Sequence, residues 1–294
     1  MFKKLKKIRY FIEAIIVYLA LIIFKLFPID KIALICARIS IFIGKRLSVN
    51  KLALENISKA FPEFETNKHH EFIEEMWDNL GRVVGEFVHI ASMNPSEIAN
   101  FVELDEETRK NLDALIANNK GGIIFSAHFG NWEIGPKTLM NYGLKVHTLY
   151  RPLNNPLVEK LTASLRGISM IAKGNDGNKK IINALKNKEF IIILADQKIS
   201  FGEPIKFFHD DAITSTAIAK MALKYDVPLI PGCIFRINKS FRFKMIIEKP
   251  IEFNKNFILN NEAKEITLKM NQKIENWIRI SPSQWFWVHN RWKK

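Results

Sequence analysis

Residues 121–135 read GGIIFSAHFGNWEIG, and few folds can accommodate this stretch. The run Gly122-Ile123-Ile124-Phe125 has the length and β-branched content of a buried strand. Ser126 and Ala127 deliver His128 into a turn containing Gly130 and Asn131, and a helix is expected to open near Trp132 and Glu133. In one continuous helix, His128 and Glu133 would point about 140° apart at roughly 3.6 residues per turn, and would not meet. With the histidine at a strand end and the glutamate in the first helical turn, the bend can bring the carboxylate to the imidazole as an oriented general base. A buried, hydrogen-bonded histidine and a glutamate that favours a helix N-terminus fit the same residues.

From Gly121 onward, apolar and helical segments alternate, which implies an α/β fold with a mixed, mostly parallel sheet flanked by helices. KVHTLYRP is expected as a strand that hands Arg151 to the edge occupied by His128. A helix over 156–166, the strand ISMIA, the turn KGNDGN and the helix KKIINALKN follow. EFIIILADQK reads as a strand presenting Asp196, Gln197 and Lys198, and FGEPIKFFHDDAITS as a loop that opens the helix TAIAKMALKYD, with Thr214 or Ser215 as its cap. VPLIPGCIFRI and FRFKMIIEKPI read as a hairpin turning at 238–240, before a final helix over 261–280. Sites in open α/β sheets gather beyond the carboxyl ends of the strands. Three expected strands end in His128, Arg151 and Asp196, a base, a planar anion-binding fork and a carboxylate. Asp196 can orient Arg151 or Lys198, or contact an acceptor. Amides at the Trp132 helix start can stabilise an oxyanion. Taken singly, Arg151 also fits a surface residue and Asp196 a turn residue.

Upstream, MFKKLKKIRY carries five positive charges and no negative one, and the unbroken apolar run Ala14–Phe24 follows. Those eleven residues fall short of the ~20 that a membrane span needs, although Tyr10–Phe27 can reach it if Glu13 and Lys25 snorkel. A second apolar stretch, Ile32–Ile43, is interrupted by Arg38. Residues 1–45 are therefore expected to form a membrane-anchoring region and residues 46–294 a single α/β domain. Two amphipathic helices, KLALENISKAFPE and HHEFIEEMWDNLGRVVGEFVHI, precede the sheet, with His69, His70 and His89 as surface or packing residues. The formal charge of +14, from 44 Lys and Arg against 30 Asp and Glu, favours an anionic partner. Two separated cysteines and no Cys/His cluster point to reduced thiols, with no metal and no cofactor expected. The absence of a Gly-x-Ser-x-Gly elbow, H-E-x-x-H, P-loop or G-x-G-x-x-G lowers the case for a serine hydrolase, zinc protease, NTPase or dinucleotide enzyme.

An ordered set of motifs adds to this reading: AFPE at 60–63, SAHFGNWE, YRPLNNP, ADQ, the Phe207–Thr214 stretch, VPLIP and the terminal QWFWVHNRWK. The set resembles the bacterial lipid A late acyltransferases, the lauroyl and myristoyl acyltransferases of lipopolysaccharide assembly, over nearly the whole chain. The resemblance implies transfer of a fatty acyl chain from acyl carrier protein to a hydroxyl of a lipid A precursor that commonly bears Kdo sugars. It implies His128 as base with Glu133 as its partner, and Arg151 and Asp196 as supporting site residues. It further implies a catalytic body on the cytoplasmic face of the inner membrane, with membrane lipid and not nucleic acid as the large partner. His209 stands where relatives more often have glycine. Two alternatives stay open: a glycerophospholipid acyltransferase acting on lysophosphatidic acid, and a basic peripheral membrane-binding or nucleic-acid-binding protein.

Overall fold

Strands that are apolar at every position need cover on both faces, and this chain supplies it from helices on either side. The computed structural model describes residues 2–199, 201–253 and 259–292. In chain order come α1 (Phe2–Leu26), α2 (Ile29–Gly44), α3 (Ser48–Ala60), α4 (Thr66–Ser92), α5 (Pro95–Ala99), β1 (Val102–Leu104), α6 (Glu106–Asn118) and β2 (Gly122–Ser126). Next are α7 (Ile134–Asn141), β3 (Val146–Tyr150), α8 (Pro156–Leu165), β4 (Ser169–Ala172), α9 (Asn175–Lys186) and β5 (Phe190–Leu194). The last are β6 (Glu203–Phe207), β7 (Asp210–Thr214), α10 (Ala217–Tyr225), β8 (Leu229–Arg236), β9 (Phe243–Ile247) and α11 (Leu259–Ile280).

Seven strands form one sheet in the order β1-β9-β8-β2-β5-β3-β4, and every neighbouring pair is parallel except β8 with β9. Alternate side chains of β2 and β5 feed two cores. Ile123, Phe125, Ile191 and Ile193 pack with α9, α10 and α11 through Ile181, Ala222 and Trp277. Ile124 and Ile192 face Leu112, Leu115, Ile134 and Leu139 on α6 and α7. The expected mixed, mostly parallel sheet is thus present, and the β8–β9 hairpin turns through Asn238 and Lys239, both at positive φ. The short edge strand β1 carries too few residues to show a pattern in sequence.

One expectation needs correction. FGEPIKFFHDDAITS is not a loop: it forms the antiparallel hairpin β6–β7, with Glu203 opposite Thr214 and Phe207 opposite Asp210. Its tight turn places Phe208 at φ 57, and the Phe208 N–H donates to the Glu275 carboxylate at 2.7 Å. Thr214 consequently lies in β7 rather than capping α10. Ser215 Oγ accepts from the Ala217 N–H at 3.2 Å.

The two N-terminal apolar segments are α1 and α2, separated by Pro28. Among the described residues no helix is long and apolar enough to cross a membrane. α2 lies so close to α4 that a Cβ at Gly81 would stand 2.3 Å from the Cys36 carbonyl oxygen, with Ala33 and Ala37 buried in the same contact. α1 is tied to the body at α8, where the Asn155 amide donates to the Tyr10 carbonyl at 2.9 Å and to the Glu13 carboxylate at 2.8 Å. Glu13 is therefore engaged by protein. The outward sides of α1 and α2 expose Phe11, Ile12, Ile16, Leu19, Ile39 and Phe42, a row of large apolar side chains.

Candidate active site

The register of the sheet builds the site. Ser126 of β2 pairs with Leu194 of β5, so His128 and Asp196, each two residues farther on, face one another beyond the carboxyl ends of adjacent central strands. The imidazole Nδ1–H donates to Asp196 Oδ1 at 2.8 Å, and the His128 backbone N–H donates to Asp196 Oδ2 at 2.8 Å. Trp285 Nε1–H donates to the same Oδ2 at 2.8 Å. Burial would raise this fully enclosed carboxyl, but the facing His128 and the N–H donors outweigh it and hold Asp196 well below the usual carboxylate range. With Nδ1 committed to the carboxylate, Nε2 carries the lone pair. The Gln197 amide approaches Nε2 at 3.3 Å.

The turn after His128 is held by buried polar contacts. Gly130 has φ 55, and a Cβ there would lie 2.1 Å from the Ile234 carbonyl oxygen, so only glycine fits. Asn79 on α4 donates to the Gly130 carbonyl at 2.8 Å, and Asn131 donates to the buried Glu86 carboxylate at 2.7 Å. Arg236, at the end of β8, binds Glu86 through both terminal nitrogens and reaches Asn79 through Nε. Burial still raises the Glu86 carboxyl against the pull of Arg236.

A C-terminal strap closes the back of the site. Phe286 N–H donates to the His128 carbonyl at 3.1 Å, and Gly130 N–H donates to the Gln284 carbonyl at 3.1 Å. The His289 ring packs edge-on against His128 with centroids 4.8 Å apart, and burial lowers its pKa from 6.5 to about 4. Arg291, itself buried, donates to the Gln197 carbonyl at 3.2 Å, and burial brings its pKa down to about 10. The ligand atoms of His128, Asp196 and His289 lie within 4.8 Å of one another. The Asp196 oxygens already accept three N–H donors, and this favours a hydrogen-bonded relay over a metal seat.

Glu133 does not reach the imidazole. It forms a bidentate ion pair with Arg166, at the end of α8, at 2.8 and 3.0 Å, and the guanidinium lies 5.0 Å over the Phe87 ring. The bend after His128 instead sends the Glu133 carboxylate toward α8, and both residues line one cavity of about 190 Å³ with Trp132, Arg151, Arg166 and Gln197. A second cavity of about 460 Å³ lies on the other face of the sheet, among β5, α10 and α11, and shares Arg151 and Gln197 with the first. Arg151 is exposed directly after β3, and Lys198 is exposed at the rim of the second cavity. Asp196, expected to orient Arg151 or Lys198, orients His128 instead. Trp285, His289 and Arg166 are site residues that sequence reasoning does not single out. The terminal QWFWVHNRWK motif was the signal for the first two.

Comparison with known proteins identifies the family of the chain. A family described as bacterial lipid A biosynthesis acyltransferase matches residues 1–294. The chain is 23% identical over 265 residues to the lipid A biosynthesis myristoyltransferase of Escherichia coli K12, covering 86% of this chain and 78% of that one. It is 24% identical over 257 residues to the palmitoleoyltransferase of lipid A biosynthesis from the same organism, covering 86% and 80%. To the lauroyltransferase it is 24% identical over 254 residues, covering 83% and 78%. An α/β sheet whose strand ends present a carboxylate-held imidazole beside two cavities suits acyl transfer, and the match along the entire chain makes this protein a member of the bacterial lipid A biosynthesis acyltransferases.

Proposed function

We propose that this acyltransferase moves a fatty acyl chain from an acyl carrier protein thioester to a hydroxyl of a Kdo-bearing lipid A precursor, with His128 as general base. The observation that carries the mechanism is the Asp196–His128 pair, in which the carboxylate fixes the tautomer that leaves Nε2 able to accept a proton. The acceptor hydroxyl displaces the Gln197 amide at Nε2, loses its proton to His128 and attacks the thioester carbonyl. Asp196 stabilises the imidazolium that forms. Among the described residues the amides of Asn131 and Trp132 take no hydrogen-bond acceptor, and they serve as oxyanion donors. The tetrahedral intermediate collapses by breaking the C–S bond, and the His128 proton passes to the leaving thiolate.

Glu133 acts through Arg166, fixing a guanidinium in the wall of the cavity that His128 also lines. Arg151, Gln197 and Lys198 contact substrate. The exposed apolar sides of α1 and α2, with Lys6, Lys7 and Arg9 at the start of α1, lie in the headgroup boundary of the inner membrane and keep the body on its cytoplasmic face. The relatives that match act in lipid A biosynthesis by name, and this favours a lipid A acceptor over lysophosphatidic acid. Incubating the purified protein with acyl carrier protein thioester and each acceptor separates the two. An acylated lipid A precursor is expected, and exclusive acylation of lysophosphatidic acid would replace this reading.

A further inference from the structure

β2 and β8 run parallel with Phe125 opposite Pro231, so β2 ends at Ser126 while β8 continues to Arg236 and lies beside the turn that follows His128. The approach is close, because the Ile234 carbonyl oxygen occupies the space that a side chain on Gly130 would need. Three partners outside the turn hold it. The Gly130 N–H donates to the Gln284 carbonyl at 3.1 Å, and the Gly130 carbonyl accepts from Asn79 Nδ2 at 2.8 Å. Asn131 Nδ2 donates to Glu86 Oε2 at 2.7 Å, which leaves Asn131 Oδ1 to accept from the Glu133 N–H at 3.1 Å. Asn79, Glu86 and Asn131 are buried, so a displaced turn would leave polar groups unpaired away from water.

One residue binds all three partners. Arg236 Nε donates to Asn79 Oδ1 at 2.8 Å, and its terminal nitrogens donate to both oxygens of Glu86. Its backbone N–H and carbonyl clasp the Gln284 side-chain amide at 2.7 and 2.9 Å. A further terminal N–H reaches the Ser240 carbonyl at 3.1 Å, and the guanidinium lies 4.9 Å from the centre of the Phe243 ring. A planar fork fixed this way dictates how its neighbours point. Asn79 must turn its oxygen to Nε and hence its NH₂ to Gly130, and Glu86 must keep Oε2 where Asn131 can reach it. A buried ion pair is often no more stabilising than apolar residues of the same volume, so its presence here points to the specification of one arrangement. Arg236 and Glu86 line neither cavity, and any effect on the reaction must pass through the turn.

We propose that Arg236 is a positioning residue for acyl transfer: through Asn79, Glu86 and Gln284 it holds residues 130–132 so that the amides of Asn131 and Trp132 meet the oxyanion. The role rests on the acyl-transfer reading above. Arg236 hydrogen-bonds to neither His128 nor Asp196, so it should govern kcat while KM and the pH dependence set by His128 stay in place.

Two variants of the full-length protein separate positioning from mere support of the fold. Arg236→Lys keeps a cation beside Glu86 but cannot bridge Asn79 and Glu86 at once. The double variant Arg236→Met/Glu86→Gln removes both charges together, so no ion is stranded, and the new amide keeps an oxygen for Asn131. Each should lower kcat about 10-fold or more, a part of the roughly 10²-fold cost of losing an oxyanion donor, with KM and the pH profile unmoved. The double variant should do so while its thermal midpoint stays near that of the unmodified protein. A purely structural role predicts the reverse, with kcat restored wherever the fold is. Hydrogen exchange read by mass spectrometry gives the same answer without catalysis: residues 129–134 should exchange about 10-fold or more faster in both variants, and residues 122–126 of β2 at the unmodified rate. A double variant that folds and transfers at the unmodified kcat, a loss that lies in KM, or unaltered exchange over 129–134 would overturn the proposal. If the unmodified protein transfers no acyl group, the acyl-transfer reading fails, and the exchange data still decide whether Arg236 holds the turn.

Discussion

Asp196→Asn changes one atom at the centre of the site, and the hydrogen bonds determine its effect. Asp196 Oδ2 accepts from two donors that cannot switch roles, the His128 backbone N–H and Trp285 Nε1–H. The amide oxygen of asparagine must therefore take that position, which turns its NH₂ toward Nδ1 of His128. Nδ1 then has to accept, so the proton moves to Nε2 and the lone pair needed for deprotonation is lost. The corresponding substitution in a Ser-His-Asp triad lowers kcat about 10⁴-fold through the same change of tautomer. Four decades correspond to about 5 kcal/mol of transition-state stabilisation. Asp196 lines neither cavity, so KM should hardly change. The loss of one charge-assisted bond in a volume-conserving exchange should cost the fold about 1–3 kcal/mol. Steady-state transfer from acyl carrier protein thioester, followed beside thermal unfolding, reads both quantities. A variant within 10-fold of the unmodified kcat, or one that raises KM at constant kcat, would refute the assignment of Asp196 as the residue that fixes the base.

His289 carries a pH prediction. Its pKa is about 4 in the fold against an ordinary 6.5, so between these values the unfolded chain takes up a proton that the folded one does not. Its contribution to stability should be complete above about pH 6.5 and fall by about 3 kcal/mol toward pH 4, and His289→Phe should flatten that part of a stability profile measured by denaturant unfolding. The Asp196 contribution, from a depressed carboxyl, should be lost only at lower pH. Glu133→Gln and Arg166→Met should each reduce kcat/KM roughly 10-fold or more, and the double variant should be little worse than either, because the two act as one pair. Independent, additive losses would contradict that coupling. Gly81→Leu should lower the thermal midpoint by breaking the α2–α4 contact, with a cost of roughly 1–3 kcal/mol or more for overpacking against the Cys36 carbonyl.

The parts of this fold legible in sequence are those fixed locally. β2 and β5 announce themselves because strands covered on both faces are apolar nearly throughout, β3 is a shorter mixed run with His147 and Thr148 in it, and His128, Arg151 and Asp196 stand out as chemistry-bearing residues just beyond the three strands. The pairing of His128 with Asp196 was not legible, because it depends on β2 and β5 being neighbours in register across 68 residues of chain. Glu133 looked like the partner because it is near in sequence, whereas the bend directs it to Arg166. The β6–β7 hairpin was hidden by a turn through Phe208 and His209, where the left-handed conformation is usually signalled by glycine or asparagine.

The central claim is that His128 removes the proton from a lipid hydroxyl. Mass spectrometry of the product formed from acyl carrier protein thioester and a purified lipid A precursor, compared for the unmodified protein and His128→Gln, tests it most directly. One added acyl chain is expected with the unmodified protein, and a rate lower by roughly 10²-fold or more with His128→Gln, the usual scale for a general base. Transfer by His128→Gln at the unmodified rate would contradict the account.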